Sequence, residues 1–521
     1  MEKKKSDVIG ACGIGILIII SIVFAYGRFL GDSLRFDEAM EYWISYMNFK
    51  DMYGMINSTY QPPVYNVIMH FWLQVSESVV WFKLSNVFFY GIGIIGLLKA
   101  VKYACESKCS MIIATIVPMC FSAMLYYNQI CGEYVLVLAI LFWLIYSALK
   151  TTKEKEWKDF IFFAFLAVLA MGTQYGAMFT IFGAGLVMLI VFCKQKDFTA
   201  IKKLIIVGGA SILGFMFPLY YFFTRHQMSN QAGTESVLGI KTIVMGMYNA
   251  FEFMFYAWHK EYKDLLNLVL ITLLVVCTIT AFVMVRKRDK EEIKENYSKL
   301  LWGVGICMIT LLGYALGVAI GFYGYGNYAS RHTVLILPVV ITATTCILSK
   351  LWEDSKKKYL YKLVVIVTGI LFVGNSYHYV WQQHWNYDQI DTAMESFANV
   401  AEDALIWVDV WAVPTVLAYG KEDIDRRLEV YLNCVAEGNL EKIGNIIYSN
   451  TDDVLKDFGG ELPDKCYILT TDTMENFEKA EKLKAKYEAE GWHVECIHPN
   501  IPSVMAAGTQ VWYFDKKYQG L

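Results

Sequence analysis

Two adjacent acids, Asp37 and Glu38, follow the first long apolar segment of the chain, within GRFLGDSLRFDEAMEYW. A carboxylate at the wet edge of a membrane can accept a proton or hold a cationic centre, whereas the same group is costly in hydrocarbon. Loops are also where acids ordinarily lie, so the pair alone does not establish a site. We take Asp37 and Glu38 as the candidate catalytic residues.

Further polar residues lie at the ends of later apolar segments, where they would surround one cavity with the two acids. Arg331, in GYGNYASRHTVLILP, and Arg225, in PLYYFFTRHQ, could each bind a phosphate through forked hydrogen bonds. The alternative is that arginines there extend to lipid headgroups and that tyrosines belong to the interfacial aromatic belt. The candidate phosphate ligands are Arg331, Arg225 and His332, and the candidate cavity residues are Tyr60, Gln61, Tyr65, Gln129, Glu133, Tyr134, Tyr175 and Tyr328.

The composition is that of a polytopic α-helical membrane protein. Hydrophobic residues make up 56% of the 521 residues, aromatic residues 16% and charged residues only 18%. No P-loop occurs and no G-x-G-x-x-G follows a strand pattern, which disfavours nucleotide-driven chemistry, and nothing indicates nucleic-acid binding. The single D-x-D, Asp423 and Asp425, lies among alternating charges typical of a solvated face. The cysteines predict neither a disulfide framework nor a zinc site.

Eleven apolar segments are long enough to cross a bilayer. The segment at 64–75 follows Pro62-Pro63 and is too short to cross, so we expect an interfacial or re-entrant helix there. The predicted spans lie near residues 8–26, 79–104, 110–127, 133–149, 158–172, 175–193, 204–223, 264–285, 300–322, 333–350 and 360–378.

The distribution of basic residues fixes the predicted orientation. With eleven spans, 25 lysines and arginines fall on the side of the N-terminus and 9 on the opposite side, before the tail that follows residue 378. The positive-inside rule therefore predicts a cytoplasmic N-terminus in a plasma membrane and places Asp37 and Glu38 outside. Counting 64–75 as a span would invert every later loop.

The composition changes after Tyr377. The segments ALIWVDV, KCYILTT, HVECIHP and QVWYFD read as short strands, and MENFEKAEKLKAKYEAEG reads as an amphipathic helix that ends at Gly491. An odd number of spans places this small α/β domain outside the membrane. We therefore predict a membrane domain at 1–378, with its first external loop and interfacial helices at 31–78, and an extracytoplasmic α/β domain at 379–521.

Four segments resemble the GT-C glycosyltransferases of the protein O-mannosyltransferase and aminoarabinose-transferase type. They are RFDEAMEYW, YQPPVYNVIMHFWLQVSES, PMCFSAMLYYNQICGEYVLVLAILFWLIYSALK and SRHTVLILP. That family has a D-E pair in its first external loop, then an H-P-P-L-Y-Y helix, a Q-E-A-R-x-Y segment and an R-Y-x-x-x-x-x-P helix start. The order and spacing agree over about residues 8 to 350, and the tail is not covered.

The resemblance implies a role for each matching residue. Asp37 would be the catalytic carboxylate, and Glu38 its neighbour that orients the acceptor or shapes the site. The chain departs from the family where Gln61 replaces a histidine and His332 a tyrosine, while Glu133 stands three positions from the family's acid. The remaining departures are Ile130 and Gly132, and the remaining matches are Pro62, Pro63, Tyr65, Gln129, Tyr134, Arg331 and Pro338.

The resemblance also implies the reaction and the partners. An acceptor hydroxyl or amine would attack the anomeric carbon of a polyprenyl-phosphate sugar, with Asp37 as general base and Arg331, helped by Arg225, stabilising the departing phosphate. The acceptor is a glycan, a lipid or a protein. No ligand cluster specifies a metal, and a divalent ion shared between Asp37 and the donor phosphate stays open.

Two other classes of function fit parts of the pattern. A transporter or flippase of lipid-linked sugars would line its path with the same acids and arginines, but transporters usually place ionisable groups near the middle of the bilayer on broken helices. Here the groups lie at one face, which favours the enzyme. A membrane scaffold that presents the outer domain to a partner would tolerate replacement of Asp37, Glu38 and Arg331.

Overall fold

The computed structural model describes residues 15–26, 33–59, 62–105, 108–229, 297–319, 333–354, 359–377, 404–471, 474–498 and 509–517, with a few isolated positions between them. It is mainly helical, with one small sheet near the C-terminus. In chain order the helices are α1 (Gly15–Tyr26), α2 (Phe36–Tyr46), α3 (Phe49–Thr59), α4 (Val64–Leu73), α5 (Val79–Cys105), α6 (Lys108–Ile116), α7 (Ser122–Asn128), α8 (Glu133–Glu154), α9 (Trp157–Thr173), α10 (Met178–Gln195), α11 (Phe198–Ser229), α12 (Ser298–Ala319), α13 (Leu337–Asp354), α14 (Tyr359–Tyr377), α15 (Val413–Ala418), α16 (Ile424–Tyr431), α17 (Val454–Asp457) and α18 (Met474–Ala489).

Among the described residues, five helical segments are long and apolar enough to cross a membrane. They coincide with five of the eleven predicted spans, so the chain is a multi-pass membrane protein. The predicted span at 264–285 lies outside the described residues. The segment at 64–75 is the ten-residue helix α4, which is too short to cross. The five segments are Val79–Cys105, Glu133–Glu154, Tyr175–Gln195, Phe198–Met216 and Ser298–Gly317.

The predicted span at 110–127 is not one straight helix. It consists of α6, a short 3₁₀ turn at Val117–Cys120 that contains Pro118, and α7, and the two halves meet at 75°. Proline cannot donate a backbone hydrogen bond, which explains a break at this position. The pair forms either one broken span or a re-entrant loop, and it makes the number of described spans five or six.

Buried amides hold the end of α7 in place. Asn86, on α5, donates from Nδ2 to the carbonyl oxygens of Asn128 at 3.1 Å and Ile130 at 2.7 Å. The backbone carbonyl of Asn86 accepts a hydrogen bond from the Tyr26 hydroxyl. Gln129 donates from Nε2 to the Ala25 carbonyl at 2.8 Å. Carbonyls at a helix end have no partner within the helix, so these side chains satisfy groups that burial would otherwise leave unpaired.

Contacts divide the chain into two compact units. The helical unit consists of Met1–Gly27, Tyr60–Tyr65 and Asn86–Gln383, and the mixed unit consists of Arg28–Thr59, Asn66–Ser85 and His384–Leu521. The first loop, which carries Asp37, therefore belongs with the C-terminal region. The sequence patterns do not indicate that association.

A six-stranded sheet forms the centre of the C-terminal region. The strands are β1 (Leu405–Val408), β2 (Glu441–Ile443), β3 (Ile446–Tyr448), β4 (Lys465–Thr471), β5 (His493–His498) and β6 (Thr509–Asp515), in the order β2-β3-β1-β4-β6-β5. Strand β1 pairs in parallel with β3 and β4, and the outer pairs are antiparallel. The parallel centre requires crossover connections, which the helices between the strands supply.

The four strands and the amphipathic helix that the sequence predicts in this region are all present. On one face of the sheet, Trp407, Ile468 and Trp512 form a buried cluster with Tyr487 of α18. Gly491 follows α18 with a φ of +85°, a conformation that glycine adopts readily at a helix end. Strands β2 and β3 were not predicted, because each has only three residues and no clear alternation.

We expect Asn86→Ala to destabilise the helical unit. The substitution leaves the carbonyls of Asn128 and Ile130 buried without their donor, at a cost of about 1–3 kcal/mol per buried group. Thermal unfolding in detergent should occur at a lower temperature than in the wild type. The control is Asn439→Ala, whose side chain is exposed. Equal unfolding temperatures for the two variants would contradict the capping role of Asn86.

Candidate active site

The candidate acids lie in the first turn of α2. The helix begins after Arg35, which has an extended backbone with φ −79° and ψ 167°. Glu38 closes the start of the helix, because its Oε2 accepts the Arg35 backbone N–H at 2.8 Å. Both acids also lie at the positive end of the helix dipole, which favours negative charge.

The two acids face different environments. The side chain of Asp37 is exposed, whereas Glu38 is only 2% exposed. Consecutive residues on a helix point about 100° apart, so one turn can bury the second acid while the first reaches solvent. Asp37 is therefore the acid of the pair that a substrate can approach, and Glu38 holds the start of the helix.

A third acid, Glu41, lies on the buried side of α2. Its Oε2 accepts a hydrogen bond from Asn66 Nδ2 at 2.6 Å, and the same amide donates to Ser45 Oγ at 3.3 Å. Glu41, Ser45 and Asn66 are all buried, and such groups need hydrogen-bond partners. The network joins α2 to α4. Sequence reasoning missed it, although Glu41 stands three residues after Glu38, a spacing that places the two side chains on one helix face.

The two tyrosines on α2, Tyr42 and Tyr46, have raised pKa values. Burial raises the pKa of Tyr42 well above its usual range, and the nearby Glu77 carboxylate also raises it, against the opposing effect of Arg427. The Tyr42 hydroxyl donates to the Glu77 carbonyl at 2.7 Å. Burial likewise raises the pKa of Tyr46. Neither phenol supplies a base near neutral pH, which leaves the carboxylates as the proton acceptors of α2.

Several candidate cavity residues of the helical unit lie close together around the end of α9. Glu133, the first residue of α8, accepts on Oε1 a hydrogen bond from Gln174 Nε2 at 3.2 Å. Two residues before Gln174, Gly172 packs against Val64 so closely that a Cβ on the glycine would lie 2.5 Å from Val64 Cγ2. The starts of α4 and α8 therefore meet the end of α9. Their neighbours Tyr65 and Tyr175 adjoin the same region.

Two other candidates have structural partners. Gln129 is buried, and its amide nitrogen bonds the Ala25 carbonyl. The ring of Tyr134 packs 4.7 Å from the ring of Tyr127. Gln129 is thus held at the turn that follows α7. Glu133, in the same segment of the sequence, instead bonds Gln174 at the end of α9.

The structure does not describe the side chains of the candidate phosphate ligands. Arg331, His332, Tyr328, Tyr60 and Gln61 lie outside the described residues, and Arg225 belongs to α11 in a part whose side chains are not described. The chain is described again from Thr333, where a 3₁₀ turn precedes α13. Thr180 Oγ1 donates to the Leu335 carbonyl at 3.1 Å and so fixes this turn to the start of α10.

Within the described part of the chain, no group of three or more histidine, cysteine, aspartate or glutamate side chains could hold a metal ion. The acids of α2 do not form such a group there. The described candidates form two separate sets: in the mixed unit, one exposed carboxylate on α2, and in the helical unit, polar side chains where three helix ends meet.

Comparison with known proteins gives similarity of fold. No protein-family model and no curated protein sequence matches the chain. Two crystal structures of ArnT from Cupriavidus metallidurans do match. The apo structure has a TM-score of 0.51, with 100% of each chain covered, and the structure bound to undecaprenyl phosphate has a TM-score of 0.50, with 96% of this chain and 97% of ArnT covered. Both are 8% identical in sequence. The chain thus has the fold of ArnT, in agreement with its resemblance to GT-C enzymes of the aminoarabinose-transferase type.

We expect Asn66→Ala to loosen α2. The change removes the donor of the Glu41 carboxylate, and a hydrogen bond to a charged group contributes about 1.5–3 kcal/mol. The unfolding temperature should fall, and limited proteolysis should cleave the first loop faster. Gln74→Ala is the control, because that exposed amide bonds only the nearby His70 among the described residues. A loss no larger than that of the control would show that the network does not hold α2.

Proposed function

We propose that this protein is an integral-membrane glycosyltransferase that transfers a sugar from a polyprenyl-phosphate donor to an acceptor at the outer face of the membrane. The observation that carries the proposal is the fold, which matches ArnT over nearly the whole of both chains, in one case in a structure bound to undecaprenyl phosphate. The four motifs that resemble GT-C enzymes support it, since they occur in the same order along this chain.

The helices that can cross a membrane agree with a lipid-linked donor. Such a donor reaches the site through the bilayer, so its enzyme must itself be embedded there. The excess of basic residues on the N-terminal side supports a cytoplasmic N-terminus and an outer location for Asp37. Nucleotides are not supplied at the outer face. A transferase there therefore needs a donor whose sugar is already activated by its bond to the lipid phosphate.

Asp37 is the proposed general base. The acceptor oxygen or nitrogen attacks the anomeric carbon from the face opposite the phosphate and forms the new glycosidic bond. The bond between the anomeric carbon and the phosphate oxygen breaks, its electron pair leaves with the polyprenyl phosphate, and the Asp37 carboxylate takes the acceptor proton. The configuration at the anomeric carbon is inverted. The exposure of Asp37 supports this role.

Positive and polar groups complete the proposed site. Arg331, with Arg225 and His332, stabilises the charge that develops on the departing phosphate. Glu133, held by Gln174, and the neighbouring tyrosines Tyr65 and Tyr175 bind the sugar hydroxyls. Sugar selection then depends on a few hydrogen bonds, as in other sites that discriminate between polar substrates.

The test of this function is transfer by the purified protein. Undecaprenyl-phosphate-linked hexoses and pentoses, each carrying a labelled sugar, are incubated with the protein in vesicles and with membranes of the source cells as acceptor. The expected result is release of undecaprenyl phosphate together with label in a larger product. Conversion of none of these donors, or movement of intact donor between leaflets without product, would overturn the proposal.

We expect Asp37→Asn to lower kcat by about 10²- to 10⁴-fold, because an amide cannot take the acceptor proton. The side chain is exposed, so the folded amount and the unfolding temperature should stay close to those of the wild type. Asp425→Asn is the matched control, since Asp425 is also exposed in the first turn of a helix. Full turnover by a folded Asp37→Asn protein would remove the general-base assignment.

We expect Arg331→Ala to lower kcat/KM for the donor by about 10²- to 10³-fold, the range found when one group that stabilises a developing oxyanion is removed. Binding of undecaprenyl phosphate, measured by native mass spectrometry, should weaken in parallel. The control is Arg426→Ala, an exposed arginine that pairs with Glu429. Unchanged binding and turnover would assign Arg331 to the lipid headgroups instead.

A further inference from the structure

One face of α2 packs on the C-terminal α/β region. Phe36, Met40 and Trp43 follow one another at spacings of four and three residues and so lie on one side of the helix. The Phe36 ring lies 5.0 Å from the ring of Trp411, and Trp43 stacks at 5.7 Å on Tyr431. The Tyr431 hydroxyl lies 2.9 Å from the Met40 sulfur. These contacts join residues that are nearly 400 positions apart in the chain.

Two directional hydrogen bonds fix α2 along its axis. Trp43 donates from Nε1 to the Pro414 carbonyl at 2.8 Å, and the Leu34 backbone N–H donates to the Tyr419 hydroxyl at 2.9 Å. One bond precedes Asp37 by three residues and the other follows it by six. Apolar packing alone lets a helix slide along its axis. Hydrogen bonds are directional, so one bond on each side of Asp37 determines where its side chain lies.

The partners of these bonds are themselves held rigidly. Arg427 is 6% exposed, and its guanidinium donates to the carbonyls of Glu422 at 2.8 Å and Leu417 at 3.1 Å, near the end of α15. The same guanidinium lies 5.9 Å from the Trp43 ring centre, which is within cation–π range. Pro414 lies in the first turn of α15 and Tyr419 directly follows its last residue, so both bonds from α2 reach this one short helix.

We infer that Trp43 and Tyr419 are positioning residues for Asp37, and that the C-terminal α/β region is part of the catalytic apparatus. The inference rests on the proposed function, in which Asp37 is the base. A general base must stand about 2.6–3.2 Å from the proton it takes, and a displacement of about 1 Å can cost about 10²-fold in rate. The sequence resemblance does not reach the C-terminal region, so this role is additional to it.

A positioning role differs measurably from a stabilising one. Loss of a stabilising residue lowers the amount of folded protein, whereas loss of a positioning residue lowers kcat of the protein that is folded. Donor binding depends on the lipid and phosphate contacts of other residues, so KM should stay unchanged. The effect should also require Asp37, because a residue that acts only through the base has nothing to position once the base is gone.

The experiment uses Trp43→Phe, Tyr419→Phe and the double variant of the full chain. Tyr419→Phe removes a hydroxyl and keeps the ring, and Trp43→Phe removes the indole N–H and keeps a smaller aromatic ring. Two matched controls remove the same kinds of bond elsewhere in the mixed unit. Tyr487→Phe removes a hydroxyl that accepts the Leu462 N–H at 3.0 Å, and Trp407→Phe removes an indole N–H that donates to Asp457 at 2.8 Å.

The double variant should show kcat lowered about tenfold, with KM for the labelled undecaprenyl-phosphate sugar unchanged and an unfolding temperature similar to that of the paired controls. In the Asp37→Asn background, the same two substitutions should change single-turnover rates by less than about twofold. A tenfold loss that persists in that background would overturn the inference, as would a double variant as active as the controls.

Hydrogen exchange separates this inference from the proposed function. Amides at 36–40 should exchange about tenfold faster in the double variant and not in the controls, whatever reaction the protein performs. Unchanged exchange would overturn the positioning role while leaving Asp37 as the base. A fully active Asp37→Asn protein, with the faster exchange still observed, would instead remove the general-base assignment of the proposed function.

Discussion

The attachment of α2 on two sides determines the geometry of the proposed site. One side buries Glu41 with Asn66 and Ser45, and the other places Trp43 against Pro414 and Tyr431. Between them, Asp37 is exposed on a helix that cannot rotate without breaking buried hydrogen bonds. A flexible loop could present the same carboxylate. The reaction would then be slower, because the carboxylate would occupy many positions other than the reactive one.

The helical unit meets a different constraint. Its helices cross hydrocarbon, where each unpaired backbone group costs several kcal/mol, so a bend needs side-chain partners. Asn86 supplies such partners at the end of α7, Gln129 supplies one at the end of α1, and Thr180 supplies one where the 3₁₀ turn precedes α13. The irregular backbone thus occurs at helix ends next to candidate cavity residues, as is usual for binding sites within membrane proteins.

The sequence predicts an element well where the pattern of apolar residues along it is clear. Long apolar runs predict the five described helices that can cross a membrane, and short apolar segments predict β1, β4, β5 and β6, because both patterns come from burial within the element itself. Strands β2 and β3 have three residues each and depend on their neighbours in the sheet. The break at Pro118 was also missed, since the run of apolar residues continues through it. Elements that depend on tertiary contacts leave little local signal.

For the proposed site, the sequence predicts Asp37 but not the residues that hold its helix. The pair Asp37-Glu38 is visible as a pair, while the exposure of one and the burial of the other depend on which side of α2 is covered. Glu41 and Asn66 are ordinary polar residues until α4 brings them together. The partners of Trp43 and Leu34 lie in the tail, where neither a motif nor a spacing points back to the first loop.

The bond between Trp43 and Pro414 spans 371 positions of the chain. During synthesis at about 5–20 residues per second, roughly 20–75 s pass between the appearance of these two residues. Throughout that interval the α2 segment has already been made, while the surface that receives Trp43 does not yet exist. The contact between α2 and the C-terminal region can therefore form only near the end of translation, and a ribosome that stops early leaves a membrane-embedded chain in which Trp43 has no partner surface.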